Sequence, residues 1–160
     1  MPVEIERKFL VTGDGWRGAG AGTRYRQGYL SLQAGASVRV RASRDTAYLT
    51  IKGETSGVSR AEYEYPIPLA HADELLNTLC IKPIIEKSRY RIEHRGLVWD
   101  VDEFAGENAG LVIAEVELES EEQAIELPEW VGDEVTGDPR YYNVSLVTNP
   151  YSDWSGTTDE

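Results

Sequence analysis

Cysteine is nearly absent from this chain of 160 residues: Cys80 stands alone. One thiol excludes an intramolecular disulfide and a cysteine metal cluster, and its apolar, helix-like surroundings read as buried packing rather than as a nucleophile. Histidine is almost as scarce. His71 and His94 lie well apart among charged neighbours, which argues against a histidine-based catalytic site or zinc centre. Hydrophobic runs are short, none approaching the ~20 residues of a membrane span, and the amino terminus lacks the basic-then-apolar order of an export signal. A cytoplasmic protein with no membrane partner is the expectation. Positive charge is also in deficit, with 16 Lys and Arg against 28 Asp and Glu, for a net charge of −12. A nucleic-acid duplex or an anionic leaflet would be repelled by such a surface. Any anionic ligand must therefore be held by a local cluster of cations.

What the chain does have is alternation. Its length suits one domain, assigned to residues 1–150, with a polar tail over 151–160 that is expected to fray. Val3 to Leu10 reads as a strand with Glu4, Glu6 and Lys8 on one face and Ile5, Arg7 and Phe9 on the other. The glycine-rich stretch from Thr12 to Thr23 reads as a loop, since it lacks the Gly-Lys-Ser/Thr ending of a phosphate-cradling loop and leads into no helix pattern. Further strands are expected over Arg24–Leu32, Ser37–Ala42, Ala47–Lys52 and Ala61–Ile67, the last ended by Pro66 and Pro68. Leu69 to Ile81 is the best helix, with Leu75, Leu76 and Leu79 clustered at helical spacing and Pro83 stopping it. Ile85–Glu93 and Leu97–Phe104 form a hairpin around His94-Arg95-Gly96, and Gly110–Glu119 is another strand. Ser120 with Gln123 suggests a short helix over Glu121–Leu127, and Asp138-Pro139 suggests a last helix reaching Val147.

The charged faces of these strands are segregated by sign. Arg39 sits with Arg41, and Lys87 with Arg89 and Arg91; Glu62 sits with Glu64, Asp100 with Asp102, and Glu115 with Glu117. A solvated outer face would mix signs, because like charges side by side are mildly destabilising unless something is bound between them. A closed barrel supplies that something, its lumen taking a polyphosphate on Lys8, Lys52 and the arginines and a divalent metal on the carboxylates. Carboxylates without histidine or cysteine are hard oxygen ligands, suited to Mg²⁺ or Mn²⁺. The combination points to metal-assisted phosphoryl transfer.

Glu4-Ile5-Glu6-Arg7-Lys8 resembles the ExExK motif of the CYTH superfamily, the triphosphate tunnel metalloenzymes. The resemblance continues in order through Arg39-Val40-Arg41, Thr50-Ile51-Lys52, Glu62-Tyr63-Glu64, Glu86 to Tyr90, Asp100 to Phe104, Glu115-Val116-Glu117 and Asp138-Pro139-Arg140-Tyr141. It implies a mainly β fold (α+β), an eight-stranded antiparallel closed β-barrel with a few short helices packed outside. Carried over residue by residue, it implies substrate binding by Lys8, Arg39, Arg41, Lys52, Lys87 and Arg89. It implies metal ligation by Glu4, Glu6, Asp102, Glu115 and Glu117, and catalytic roles for Glu4, Glu6, Lys8 and Lys87. Glu62 and Glu64 sit at lumen positions, with metal ligation and holding the cations in place both open, and Asp100 and Arg91 are in phase with the lumen, with motif and merely supporting roles both open; Tyr29 and Arg140 are further candidates for support.

Small bacterial members that open with Glu-Ile-Glu-Arg-Lys-Phe-Leu are similar to inorganic triphosphatases, so the implied reaction is metal-dependent hydrolysis of tripolyphosphate to pyrophosphate and phosphate, with a metal-activated water as nucleophile. A class IV adenylate cyclase and a thiamine triphosphatase are the enzyme alternatives, and Trp16, Trp99 or Trp130 would then stack on the organic ring. A non-catalytic polyphosphate or nucleotide sensor is the alternative of another class. A triphosphate is the expected partner; the choice between monomer and homodimer stays open.

Overall fold

The computed structural model describes residues 3–18, 22–33, 35–54 and 59–154. Parts of the predicted loops (19–21 and 55–58) and of the tail (155–160) lie outside the described residues.

Among the described residues nine strands form: β1 Val3–Val11, β2 Thr23–Ser31, β3 Ser37–Ala42, β4 Ala47–Lys52, β5 Ser59–Ile67, β6 Ile85–His94, β7 Leu97–Phe104, β8 Val112–Glu117 and β9 Val131–Glu134. Every pairing is antiparallel, in the order β5-β4-β3-β2-β6-β7-β8-β1, and Val3–Ile5 of β1 pairs with Ser59–Ala61 of β5 to close the barrel. The eight-stranded barrel expected from the sequence is present. β9 is an addition: it pairs with β1 beyond that closure, Phe9 opposite Glu134 and Val11 opposite Val131. Only four residues long and without strict alternation, it is held through backbone groups such as Val135 N–H to the Lys8 carbonyl at 2.8 Å.

Register decides what the lumen receives. Cross-strand partners share a face, so Lys8 opposite Glu115, Arg89 opposite Asp102, Arg39 opposite Thr50 and Lys52 opposite Glu62 all point the same way. The apolar alternates point outward and are covered. Phe9, Trp99, Val101, Ala114 and Val116 are buried beneath Trp16, Leu118 and Trp130. Val40, Ala42 and Ala47 are buried beneath Ala72, Leu76 and Cys80 of the helical segment after β5. The aliphatic and aromatic side chains so covered are worth about 1.5–3 kcal/mol each, so an outer sheath replaces the inner core that a sandwich would have. At Gly28 the sheath packs directly on the barrel backbone, since a Cβ there would lie 2.9 Å from the Cys80 Cβ.

The predicted helix over 69–81 divides into α1 (Leu69–Glu74) and a π-helical turn over Leu75–Leu79, closed by Cys80 N–H on the Leu75 carbonyl at 2.9 Å. That i→i+5 bond shifts the helical phase. Leu76 is buried while Leu79 is 66% exposed, which corrects the expected leucine cluster. No helix forms over Glu121–Leu127: after a turn at Ser120–Gln123 the chain is irregular. The Gln123 side chain accepts from Glu119 N–H at 2.7 Å and closes a loop, and so short a segment makes only a marginal helix. The expected last helix is split into a 3-10 turn over Pro139–Tyr141 and α2 (Asn143–Thr148).

Those last turns plug one end of the lumen. Tyr29, Ile85, Phe104 and Ile113, all inward-facing, pack against Tyr141, Leu146, Val147 and Trp154. Residues 151–154, from the stretch read as a tail, belong to this plug: Tyr151–Asp153 is a 3-10 turn and Trp154 stacks edge-on against Tyr141 and Tyr151. No described helix is long and apolar enough to cross a membrane.

Candidate active site

Above the plug the lumen is a chamber of about 260 Å³ whose wall is charged almost throughout. Lys8, Arg39, Arg41, Lys52, Arg60, Arg89 and Arg91 line it together with Glu4, Glu6, Glu62, Glu64, Asp100, Glu115 and Glu117; Asn143, the first residue of α2, is the neutral member. Hydrophobic burial outside the barrel offsets the cost of gathering these charges, and the charges then lower it by pairing.

Three networks carry the pairing. In the first, Lys52 Nζ and Arg60 Nε both donate to Glu4 Oε1, at 2.8 and 3.0 Å. In the second, Arg39 and Arg41 approach Glu64 Oε2 at 3.9 and 3.6 Å, and Thr50 donates to that oxygen at 3.2 Å. In the third, Asp102 takes Lys87 Nζ at 2.9 Å and a two-nitrogen fork from Arg89 at 2.8 and 2.9 Å, while Arg89 also reaches Glu115 at 3.3 Å. Lys8 completes this last network at 3.5 Å from Glu115 Oε2. Beneath two of the arginines lies the Tyr25 ring, 5.0 Å from the Arg41 guanidinium and 5.8 Å from that of Arg89, a cation–π support inside the barrel.

The electrostatics follow from burial and neighbours. Burial, then repulsion from Glu115, pushes the Glu6 carboxyl up to about 7 despite Lys8. Burial would also raise Glu4 and Glu115, but Lys52 with Arg60, and Lys8 with Arg89, hold the two below the usual carboxylate range. Asp102, fully buried, is driven far lower by Lys87 and Arg89. Lys87 falls to about 8 because burial and the like charge of Arg89 outweigh Asp102, and Arg41 falls to about 10 through burial, Arg39 and Arg89.

The sequence-predicted residues do not all reach the chamber. Lys87 and Asp102 are each 1% exposed and stand behind its wall, where they buttress Arg89. Asp100 and Glu117 line the outer part with Arg91, whose side chain is 75% exposed and pairs with Asp100 at 3.2 Å. Tyr29 is buried at the floor beside Arg39. Arg140 is away from the chamber, forked to Asp138 at 2.9 Å and stacked over Tyr141 and Trp154. Two lining residues were missed. Arg60 alternates in phase with Glu62 and Glu64, so starting that strand two residues earlier would have found it; Asn143 carries no signal of its own, because only the plug brings it under the chamber. Trp16, Trp99 and Trp130 lie outside the barrel wall, Trp99 against Phe9 and Trp130 at 5.5 and 5.9 Å, and Trp16 against Tyr90 at 5.2 Å.

As to a metal, the donors are carboxylate oxygens alone, the chemistry of a hard dication. The crowding that raises Glu6 would be relieved by such an ion. Among the described residues no three carboxylates yet converge, since Glu4 and Glu115 are turned onto lysine and arginine.

The family model of the CYTH domain matches residues 2–151. The chain belongs to the CYTH family. This CYTH domain is 53% identical over 154 residues to a protein of Acetivibrio thermocellus named inorganic triphosphatase, covering 96% of this chain and 99% of that one. It is 39% identical over 150 residues to the inorganic triphosphatase of Nitrosomonas europaea, covering 90% and 96%. Among solved structures, the inorganic triphosphatase NE1496 superposes with a TM-score of 0.63 at 34% identity over 89% of this chain and 96% of that one. The CYTH tunnel fold expected from the motifs is the fold observed.

Proposed function

We propose that this CYTH protein hydrolyses inorganic tripolyphosphate to pyrophosphate and phosphate in the charged chamber, with Mg²⁺ or Mn²⁺ as cofactor. One observation carries the reading: among the described residues the chamber wall is made of charged side chains and a single amide, the Tyr25 ring inside the barrel is covered by the guanidinium groups of Arg41 and Arg89, and Trp16, Trp99 and Trp130, the candidates for stacking on a base or a thiazolium ring, are buried outside the barrel. The names borne by relatives at 53% and 39% identity support it.

In this reading the forks of Arg39, Arg41 and Arg89 hold phosphate oxygens two at a time, and Lys8 and Lys52 add point charges. Lys87 acts through Asp102, which fixes the plane of the Arg89 guanidinium. Glu4, Glu6, Glu115 and Glu117 would hold the dication; they line the chamber together with Glu62 and Asp100. When bound, such an ion would supply charge neutralisation on the transferring phosphoryl group and a water acidic enough to attack. Glu6, which lines the chamber, would accept the proton that the attacking water gives up. Water adds to the terminal phosphorus, the P–O bond to the bridging oxygen breaks, and pyrophosphate leaves.

The test is phosphate release from tripolyphosphate, ATP and thiamine triphosphate in parallel, with Mg²⁺, with Mn²⁺ and with chelator, while cyclic AMP is monitored. Metal-dependent release from tripolyphosphate well above the other two is the expected result. Cyclic AMP from ATP would replace the reading with a cyclase, and tight tripolyphosphate binding without turnover would replace it with a sensor.

A further inference from the structure

We propose that Arg60 is a positioning residue, the standing counter-ion of Glu4 that frees Lys52 to leave Glu4 for a phosphate oxygen. The inference deepens the triphosphatase reading and rests on it.

The pairing that closes the barrel sets Arg60 directly opposite Glu4. Arg60 Nε and Lys52 Nζ meet the same carboxylate oxygen, Oε1, at 3.0 and 2.8 Å. Two cations on one oxygen exceed what neutralising Glu4 requires. Lys52 is the one already divided, since it also reaches Glu62 at 3.6 Å and is repelled by Arg39 and Arg60. Its ammonium is a compact charge on a flexible stem and can change partner, whereas the planar guanidinium gives directional hydrogen bonds suited to holding one carboxylate. Glu4 is 7% exposed. Were Lys52 its only partner, a swing toward substrate would strand a buried carboxylate, and that penalty would oppose substrate binding. With Arg60 in place the carboxylate keeps its charge and its orientation while the lysine moves.

The deciding measurement is calorimetric binding of tripolyphosphate in the presence of chelator to wild type, R60Q, E4Q and the R60Q/E4Q double variant, with thermal unfolding of each as the control for folding. R60Q is expected to weaken binding about tenfold in the wild-type background, one interaction's worth. E4Q is expected to tighten it, and R60Q added to E4Q to change it by less than about twofold, because Lys52 is then already free. R60K, which keeps the charge but not the Nε geometry, should lose about threefold against wild type and nothing against E4Q, and it decides the same question should R60Q not fold. Equal weakening in both backgrounds would overturn the proposal, since Arg60 would then touch the phosphate itself; so would unchanged binding by R60Q in the wild-type background. A wild-type protein that binds no tripolyphosphate either in chelator or with Mg²⁺ or Mn²⁺ would overturn the triphosphatase reading first, and this inference with it; binding that appears only with the metal would overturn this inference alone.

Discussion

Lys87 and Asp102 make the sharpest residue-scale case, because both are buried and each is the other's justification. Replacing Asp102 by Asn leaves the Lys87 ammonium 1% exposed without its 2.9 Å partner, a loss of about 3–5 kcal/mol of stability expected for a broken buried pair. Urea unfolding checks it, and adding Lys87→Met to Asp102→Asn should return the part of the loss due to the stranded ammonium and leave the part due to the lost fork of Arg89 on Asp102. Glu115 poses the opposite test. It lines the chamber beside Lys8 and Arg89, so Glu115→Gln should leave the fold intact by circular dichroism while metal-dependent turnover falls by more than about 100-fold. Turnover at the wild-type rate in low Mg²⁺ would remove Glu115 from the metal site.

At the scale of elements, the C-terminal turns matter more than their shortness suggests. A barrel of eight strands has a lumen open at both ends unless something fills one, and here Tyr141, Leu146, Val147 and Trp154 do so. Lys8 reaches the floor they make, its Nζ 3.4 Å from the Tyr141 carbonyl and over the Tyr142 ring. Trp154→Ala should therefore cost about 3–5 kcal/mol in cavity and transfer terms and also raise KM for tripolyphosphate, as the floor under Lys8 loosens; thermal unfolding and steady-state kinetics on one preparation read both. The β6–β7 hairpin shows the other kind of element, one that local chemistry settles. Arg95 and Gly96 both have positive φ, 53° and 83°, as a two-residue turn between right-twisted strands requires, and it holds Arg89 and Arg91 opposite Asp102 and Asp100.

For the whole molecule, the chamber makes stability depend on pH. Glu6 has a folded-state carboxyl raised from 4.5 to about 7, so the folded protein holds that proton more tightly than the unfolded chain does. Its contribution is fully present below about 4.5 and is lost as pH rises through 7, a decline of about 3 kcal/mol in the metal-free protein. Denaturant titrations from pH 4.5 to 7.5 in chelator should show this slope, and Glu6→Gln should flatten it; an unchanged slope in that variant would assign the proton elsewhere. The sequence by itself determined which residues share a face, because alternation along a strand is a property of the backbone. Rows of one charge sign also required an enclosed lumen, because no solvated surface gains from them. The tertiary structure alone decided how deep each charge lies. Lys87 and Asp102 alternate in phase with Arg89 and Asp100, yet only closure and the plug set the first two behind the wall. It also decided that Arg60 meets Glu4, and it placed Asn143 and β9, because these come from strands and turns meeting across more than fifty residues of chain, a distance at which sequence spacing carries no information.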